Sequence, residues 1–189
     1  MAIRADKVID CLGLSCPMPI LHTKKAIEEL EPGQVLEIRA TDRGSLTDLK
    51  GWAKSTGHQY LGTLNRDNML IHYVRKANPE EVKPEMKYPH TIQNEEVEAQ
   101  LGKEGITVLD VREPAEFAFG HVPGAVSIPM GELEQRLGEL NPDHEIYVIC
   151  RTGNRSDLAC KILSENGFKK VKNVLPGMIQ WTGPLEKDE

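Results

Sequence analysis

Cysteine is scarce in this chain: four in 189 residues, at positions 11, 16, 150 and 160, too few and too unevenly placed for a disulfide scaffold. No two form a CxxC pair and none stands in a Cys/His ligand pattern, so no metal site is expected and reduced thiols are. No apolar run approaches the roughly 20 residues that span a bilayer, which excludes a membrane-spanning helix. Met1 to Asp6 leads straight into Lys7-Val8-Ile9-Asp10 without the apolar core of a signal peptide, so the expected location is cytoplasmic. A basic tail or cationic stripe is also missing, which argues against a nucleic-acid binder.

What is present is 39% hydrophobic residues with mixed charge, the composition of a soluble globular protein. Charge is unevenly distributed. Residues 1–75 carry 10 basic and 9 acidic side chains, residues 76–90 carry 3 of each, and residues 91–189 carry 10 and 17. Between the halves, Pro79, Pro84 and Pro89 alternate with Glu80, Glu81, Lys83 and Glu85. Prolines at that density block helix and sheet, so 76–90 reads as a semi-stiff linker, with part of it packed on one domain as the other reading. Two domains follow, 1–75 and 91–189.

In the first, a short strand at Val8-Ile9 leads through Cys11 to Cys16-Pro17-Met18-Pro19, where a helix begins. Ile20, Leu21, Ile27 and Leu30 fit its apolar face, Lys24 and Lys25 its outside, and Pro32-Gly33 its stop. Pro17 and Pro19 are tolerated in a first turn, whose N–H groups have no helical partner. Cys16 then lies at the positive end of the helix dipole, which favours a thiolate or persulfide anion. Gln34–Ala40 alternates as a strand, Ser45–Ser55 reads as a helix, and Gln59–Leu64 with Met69–Val74 forms a hairpin. The result is a two-layer β-α-β-α-β-β unit.

In the second domain, alternation of strand and helix predicts a mostly parallel sheet flanked by helices. Helices are read at Glu95–Leu101, Pro114–Phe119 and Glu132–Leu140, and strands at Ile106–Val111, Val126–Ile128, Glu145–Ile149 and Val171–Leu175. Cys150-Arg151-Thr152-Gly153-Asn154-Arg155-Ser156 follows the strand Ile146–Ile149 and precedes a helix read from Asp157 to Asn166. Strand, tight loop and helix build an anion cradle: loop amides and the helix N-terminus point at whatever sits on the Cys150 sulfur. Arg151 and Arg155 add positive charge, and Ser156 reads as the N-cap. A lowered Cys150 pKa and attraction of anionic sulfur or oxyanion substrates are expected. Asp110 and Arg112, at a strand end, are read as making structural hydrogen bonds around the loop, and His121 as a turn residue. Cys11 and Cys160 are read as packing, with resolution of a Cys16 persulfide the other role open to Cys11.

Two resemblances rest on these motifs. Residues 6 to 75 resemble the TusA/SirA family of sulfur carriers in Asp10, Gly13-Leu14, Cys16-Pro17-Met18-Pro19, Ala40-Thr41-Asp42, and Trp52 with Gly57-His58. That resemblance implies a persulfide on Cys16; Arg43, where the family often has proline, departs from it. Residues 91 to 189 resemble the rhodanese family of sulfurtransferases in the Cys150 loop, Val108–Pro114, Glu116-Phe117, Gly120–Val126 and Ile128-Pro129. Pro176-Gly177 before Met178 departs from the Gly-Gly common ahead of that family's tryptophan. Rhodanese-like folds also host cysteine phosphatases, whose loop has five residues between cysteine and arginine. Here four separate Cys150 from Arg155, a smaller cradle that suits a sulfane sulfur.

The expected chemistry is sulfur transfer without a cofactor. Cys150 takes sulfane sulfur from thiosulfate or a persulfide donor, with Arg151, Thr152, Gly153, Asn154 and Arg155 holding the donor. Cys16 receives the sulfur and passes it to acceptor thiols or sulfur-relay proteins. A different class remains open: a non-enzymatic thiol redox or persulfide sensor, in which the four cysteines respond to oxidants.

Overall fold

The computed structural model describes residues 3–79 and 88–188. The chain divides into two compact units, Ala2–Pro79 and Glu80–Glu189. The linker reading of 80–87 lies outside the described residues. On its near side Lys76 N–H donates to Gln34 O at 2.8 Å and Ala77 N–H to His58 Nδ1 at 2.9 Å, so both belong to the first unit. On its far side Tyr88 N–H donates to Asp157 at 2.8 Å and the His90 carbonyl accepts Asn173 N–H at 2.9 Å, within the second.

The first unit is built in the order β1 (Lys7–Cys11), α1 (Met18–Glu28), β2 (Val35–Ala40), α2 (Ser45–Thr56), β3 (Gln59–Arg66) and β4 (Met69–Arg75). Its sheet runs β1-β2-β4-β3, with β1 parallel to β2 and the other pairs antiparallel. Period-2 alternation sends Leu36, Ile38 and Ala40 to one face, where they pack with Ala26 and Ile27 of α1, Leu30 just after it, and Leu49 of α2. Both helices therefore cover the same face, giving two layers. Asp67 and Asn68, at φ 51° and 66°, turn β3 into β4 in the left-handed conformation that these two residue types tolerate. One residue departs from the expected helical face: Leu21 is exposed, and Thr23 and Ala26 are buried in its place.

The second unit holds β5 (Thr91–Gln93), α3 (Asn94–Gln100), β6 (Ile106–Asp110), α4 (Pro114–Phe119), β7 (Val126–Ser127), β8 (Glu145–Ile149), α5 (Asn154–Glu165) and β9 (Val171–Leu175). The five strands are all parallel, in the order β5-β9-β8-β6-β7. Central β8 is apolar on both faces because both are covered. Ile146 and Val148 pack toward Ala159, Cys160 and Leu163 of α5, while Tyr147 and Ile149 pack toward Val97 of α3 and Trp181. Strand β5 has no strong pattern in the sequence and adds an edge beside β9.

The helix read at Glu132–Leu140 does not form. Two 3₁₀ turns, Met130–Glu132 and Leu137–Glu139, stand there instead. Gly131 and Gly138 weaken helix propensity, and Leu133 and Leu140 reach the core from the turns. No helix among the described residues is long and apolar enough to cross a membrane.

Candidate functional site

Cys150 follows the last residue of β8, at the carboxyl edge of the parallel sheet, where ligand sites of such sheets form. The chain turns sharply there. Gly153 adopts φ 95°, a left-handed conformation, and its N–H donates to Cys150 Sγ at 3.0 Å. Helix α5 starts at Asn154, earlier than the expected Asp157, and Gly153 rather than Ser156 is its N-cap. Ser156 instead lies inside the first turn, fully buried, with Oγ 3.3 Å from Cys150 Sγ. Its hydroxyl donates to Asn173 Oδ1 at 2.5 Å, and Asn173 Nδ2 donates to the Gly153 carbonyl at 3.1 Å. The sulfur thus sits at the start of a helix, with the Gly153 amide proton directed at it and the Ser156 oxygen beside it. Cys150 itself is fully buried.

A second segment clamps the loop from outside. Met178 N–H donates to Cys150 O at 2.9 Å and Ile179 N–H to Arg151 O at 3.0 Å. Gly177, at φ 101°, has no room for a side chain: a Cβ there would stand 2.7 Å from Cys150 O. Asn94 holds Gly177 in turn, donating from Nδ2 to its carbonyl at 2.9 Å and accepting its N–H at 3.2 Å.

The arginines divide. Arg155, expected to bind the donor, directs Nη1 and Nη2 to the buried Glu116 carboxylate at 2.8 and 3.2 Å, so it ties α5 to α4 rather than standing open to an anion. Arg151 is half-buried, and no ion pair forms on it among the described residues. Thr152 is half-buried in the loop and Asn154 opens α5. Arg112 grips Asp110 through Nε at 3.0 Å and Nη2 at 2.7 Å, and Nη2 also donates to Gly120 O at 2.8 Å. Asp110 is paired with Ile149 in the sheet, so this ion pair props the floor next to Cys150. His121 stacks on Phe117 with ring centroids 3.7 Å apart, and its Nδ1 lies 2.8 Å from Phe117 O.

In the first unit Cys16 is exposed just ahead of α1. Pro19 lies in the first turn as expected, while Pro17 is the N-cap rather than part of that turn. The Cys16 N–H donates to Asp42 Oδ2 at 2.9 Å, and Gly44 N–H donates to Asp42 Oδ1 at 3.0 Å. The expected thiolate stabilisation does not hold. The Cys16 thiol is pushed up, first by a hydrogen bond to Asp48, then by partial desolvation and the charges of Asp48 and Asp42. Both nearby carboxylates, Asp42 and Asp48, oppose a negative charge on the Cys16 sulfur. Cys11 is fully buried, its thiol raised by burial and by Asp10, and Cys160 is fully buried and raised further, chiefly by burial.

Sequence reasoning missed Asn173, Asn94 and Asp48, and it named Glu116 and Asp42 as motif residues without these contacts. Asn173 had one visible signal, a polar residue inside the apolar strand Val171–Leu175. The others act across long sequence separations.

Comparison with known proteins fits this geometry. Residues 7–76 match the family model "Sulfurtransferase TusA" and residues 93–183 match "Rhodanese-like domain". A Bacillus subtilis protein named "Putative sulfur carrier protein YrkF" is 46% identical over 184 residues, covering 97% of this chain and all of its own length. The sulfur carrier protein TusA of Allochromatium vinosum is 36% identical over 72 residues, 38% of this chain and 95% of its own. Among solved structures, a rhodanese-like domain protein from Staphylococcus aureus superposes with a TM-score of 0.50 at 30% identity, over 53% of this chain and 100% of that one.

Proposed function

Because the chain belongs to the family of proteins that join a TusA sulfurtransferase unit to a rhodanese-like domain, we propose that it moves sulfane sulfur from a small donor through Cys150 to Cys16 and on to an acceptor thiol. The observation that carries the reading is the Cys150 cradle: Sγ over the start of α5, with Gly153 N–H at 3.0 Å and Ser156 Oγ at 3.3 Å.

With thiosulfate as donor, the Cys150 thiolate attacks the outer sulfur. A Cys150 S–S bond forms, the sulfur–sulfur bond of thiosulfate breaks, and sulfite leaves with the electron pair. The new terminal sulfur is anionic at neutral pH, and loop amides with the α5 N-terminus stabilise it. Arg151 supplies the positive charge for the incoming dianion, while Arg155 contributes through Glu116 by holding α5 in place. Next the Cys16 thiolate attacks that terminal sulfur, forming the Cys16 persulfide and returning Cys150 as a thiolate. Exposure of Cys16 lets an acceptor thiol take the sulfur in a third exchange of the same kind. No electron or metal is needed at any step.

The test is sulfite release from thiosulfate in the presence of a small thiol. The wild type is expected to turn over and Cys150→Ser to give only the uncatalysed rate. Turnover by Cys150→Ser at the wild-type rate would remove Cys150 from the reaction.

A further inference from the structure

A buried polar chain runs through the first unit to the segment that holds Cys16. His72, on β4, is fully buried, with Nε2 2.9 Å from Ser45 Oγ and Nδ1 2.8 Å from the Tyr60 hydroxyl and 3.0 Å from Thr63 Oγ1. Ser45 Oγ donates to the Asp42 carbonyl at 2.6 Å. A serine hydroxyl has one proton. With that proton on Asp42, Ser45 can only accept from His72, so the ring carries its hydrogen on Nε2 and accepts at Nδ1 from Tyr60 or Thr63. Asp42, at the other end, holds the Cys16 N–H at 2.9 Å. Both ends meet on Asp42: the ring donates to the Ser45 hydroxyl and the hydroxyl to the Asp42 carbonyl, while the Cys16 N–H donates to the Asp42 carboxylate.

Ser45 is also the first residue of α2, and its N–H returns to Asp42 O at 3.1 Å. Asp42 lies just before this anchor and Asp48 one turn after it. These are the two acids that act on Cys16. A side chain that fixes Ser45 therefore fixes both.

We propose that His72 is a positioning residue for Cys16: as a neutral Nε2–H donor it locks Ser45, and through Ser45 it sets where Asp42 and Asp48 stand relative to the Cys16 sulfur. Core filling alone does not account for an imidazole here. Position 72 lies between Leu70 and Val74 on the helix-covered face of the sheet, where an aliphatic side chain packs without the cost of burying two ring nitrogens. Burial, with Lys50 nearby, pushes the ring down to about 4, which keeps it a neutral donor at physiological pH. The inference rests on Cys16 being the sulfur-bearing thiol and adds what controls that thiol.

Alkylation by iodoacetamide tests it without any sulfur donor, so failure of the relay and failure of this inference are separately visible. The full chain carrying Cys150→Ser is used, in which Cys16 is the exposed thiol and Cys11 and Cys160 are buried. Rates are followed against pH for that chain and for Ser45→Ala, His72→Leu and His72→Gln within it. Ser45→Ala and His72→Leu are expected to release the acids, lowering the pH midpoint of alkylation and raising the rate at neutral pH, about threefold for each half unit of midpoint. His72→Gln, which offers a donor and an acceptor from one side chain, is expected to keep the parent profile. A folded Ser45→Ala chain with the parent midpoint and rate would overturn the proposal, as would a His72→Gln profile that matches His72→Leu. Ser45→Ala removes a single oxygen, so it decides the matter if His72→Leu does not fold.

Discussion

Gly177 stands against the Cys150 loop so closely that its missing side chain is a structural requirement. At φ 101° an L side chain is strained, and its Cβ would lie 2.7 Å from Cys150 O and 2.8 Å from Arg151 O. Gly177→Ala is expected to push the loop away from the clamp, cutting sulfite release at least tenfold and costing about 1–3 kcal/mol of stability. Enzyme assay and chemical denaturation of the same preparation check both. His72 makes a second residue-scale prediction. Its folded pKa of about 4 lies below the ordinary 6.5, so the unfolded chain binds the proton first as pH falls. The stabilisation from keeping His72 neutral is fully present above about pH 6.5 and is lost as pH falls toward 4. Between about pH 7 and pH 5 the wild type should lose about 2 kcal/mol that His72→Gln does not lose, read from urea unfolding at the two pH values.

Helix α5 is the element on which the Cys150 site depends, and three long-range contacts hold it. Ser156 binds Asn173 of β9, Asn173 binds back to Gly153, and Arg155 binds Glu116 of α4. Glu116→Ala leaves Arg155, only 13% exposed, without its carboxylate, and is expected to cost about 3 kcal/mol and to lower the transfer rate by loosening the start of α5. Glu116→Gln, which keeps an acceptor oxygen, should lose less, and thermal unfolding with sulfite release separates the two. The first unit uses a similar device, where Ser45 in the first turn of α2 binds His72 of β4. These contacts explain what was legible beforehand. Strands Glu145–Ile149 and Val171–Leu175 and helix Pro114–Phe119 have the bounds that local patterning predicts, because they stop at the Cys150 loop, at Pro176 and at Gly120. The Cys150 loop and Cys16 stood out for the same local reasons. Ser156 did not read correctly, since a serine near a helix start looks like a cap, while the sharp turn here requires a left-handed glycine. The Glu116–Arg155 pair leaves no local trace across 39 residues of separation, and of the acids beside Cys16 one lies just before α2 and the other within it, far in sequence from the helix that Cys16 precedes.

At the scale of the whole molecule, two units with separate cores each carry two cysteines, of which one in each, Cys16 and Cys150, is proposed to bear sulfur. Cys150 is buried with the Gly153 N–H directed at its sulfur, and Cys16 is exposed beside the carboxylates of Asp42 and Asp48. Joining them in one chain raises the concentration of each at the other to about millimolar if the linker permits contact, which favours passage between them over loss to solvent thiols. The order of transfer is the central claim, and intact mass after brief exposure to thiosulfate tests it most directly, on the wild type, Cys150→Ser and Cys16→Ser, with peptide mapping to place the added sulfur. The account predicts one sulfur atom on Cys16 of the wild type, none on Cys16 of Cys150→Ser, and retention on Cys150 in Cys16→Ser. Cys16 loaded in Cys150→Ser as fast as in the wild type would contradict it and make the two cysteines independent acceptors.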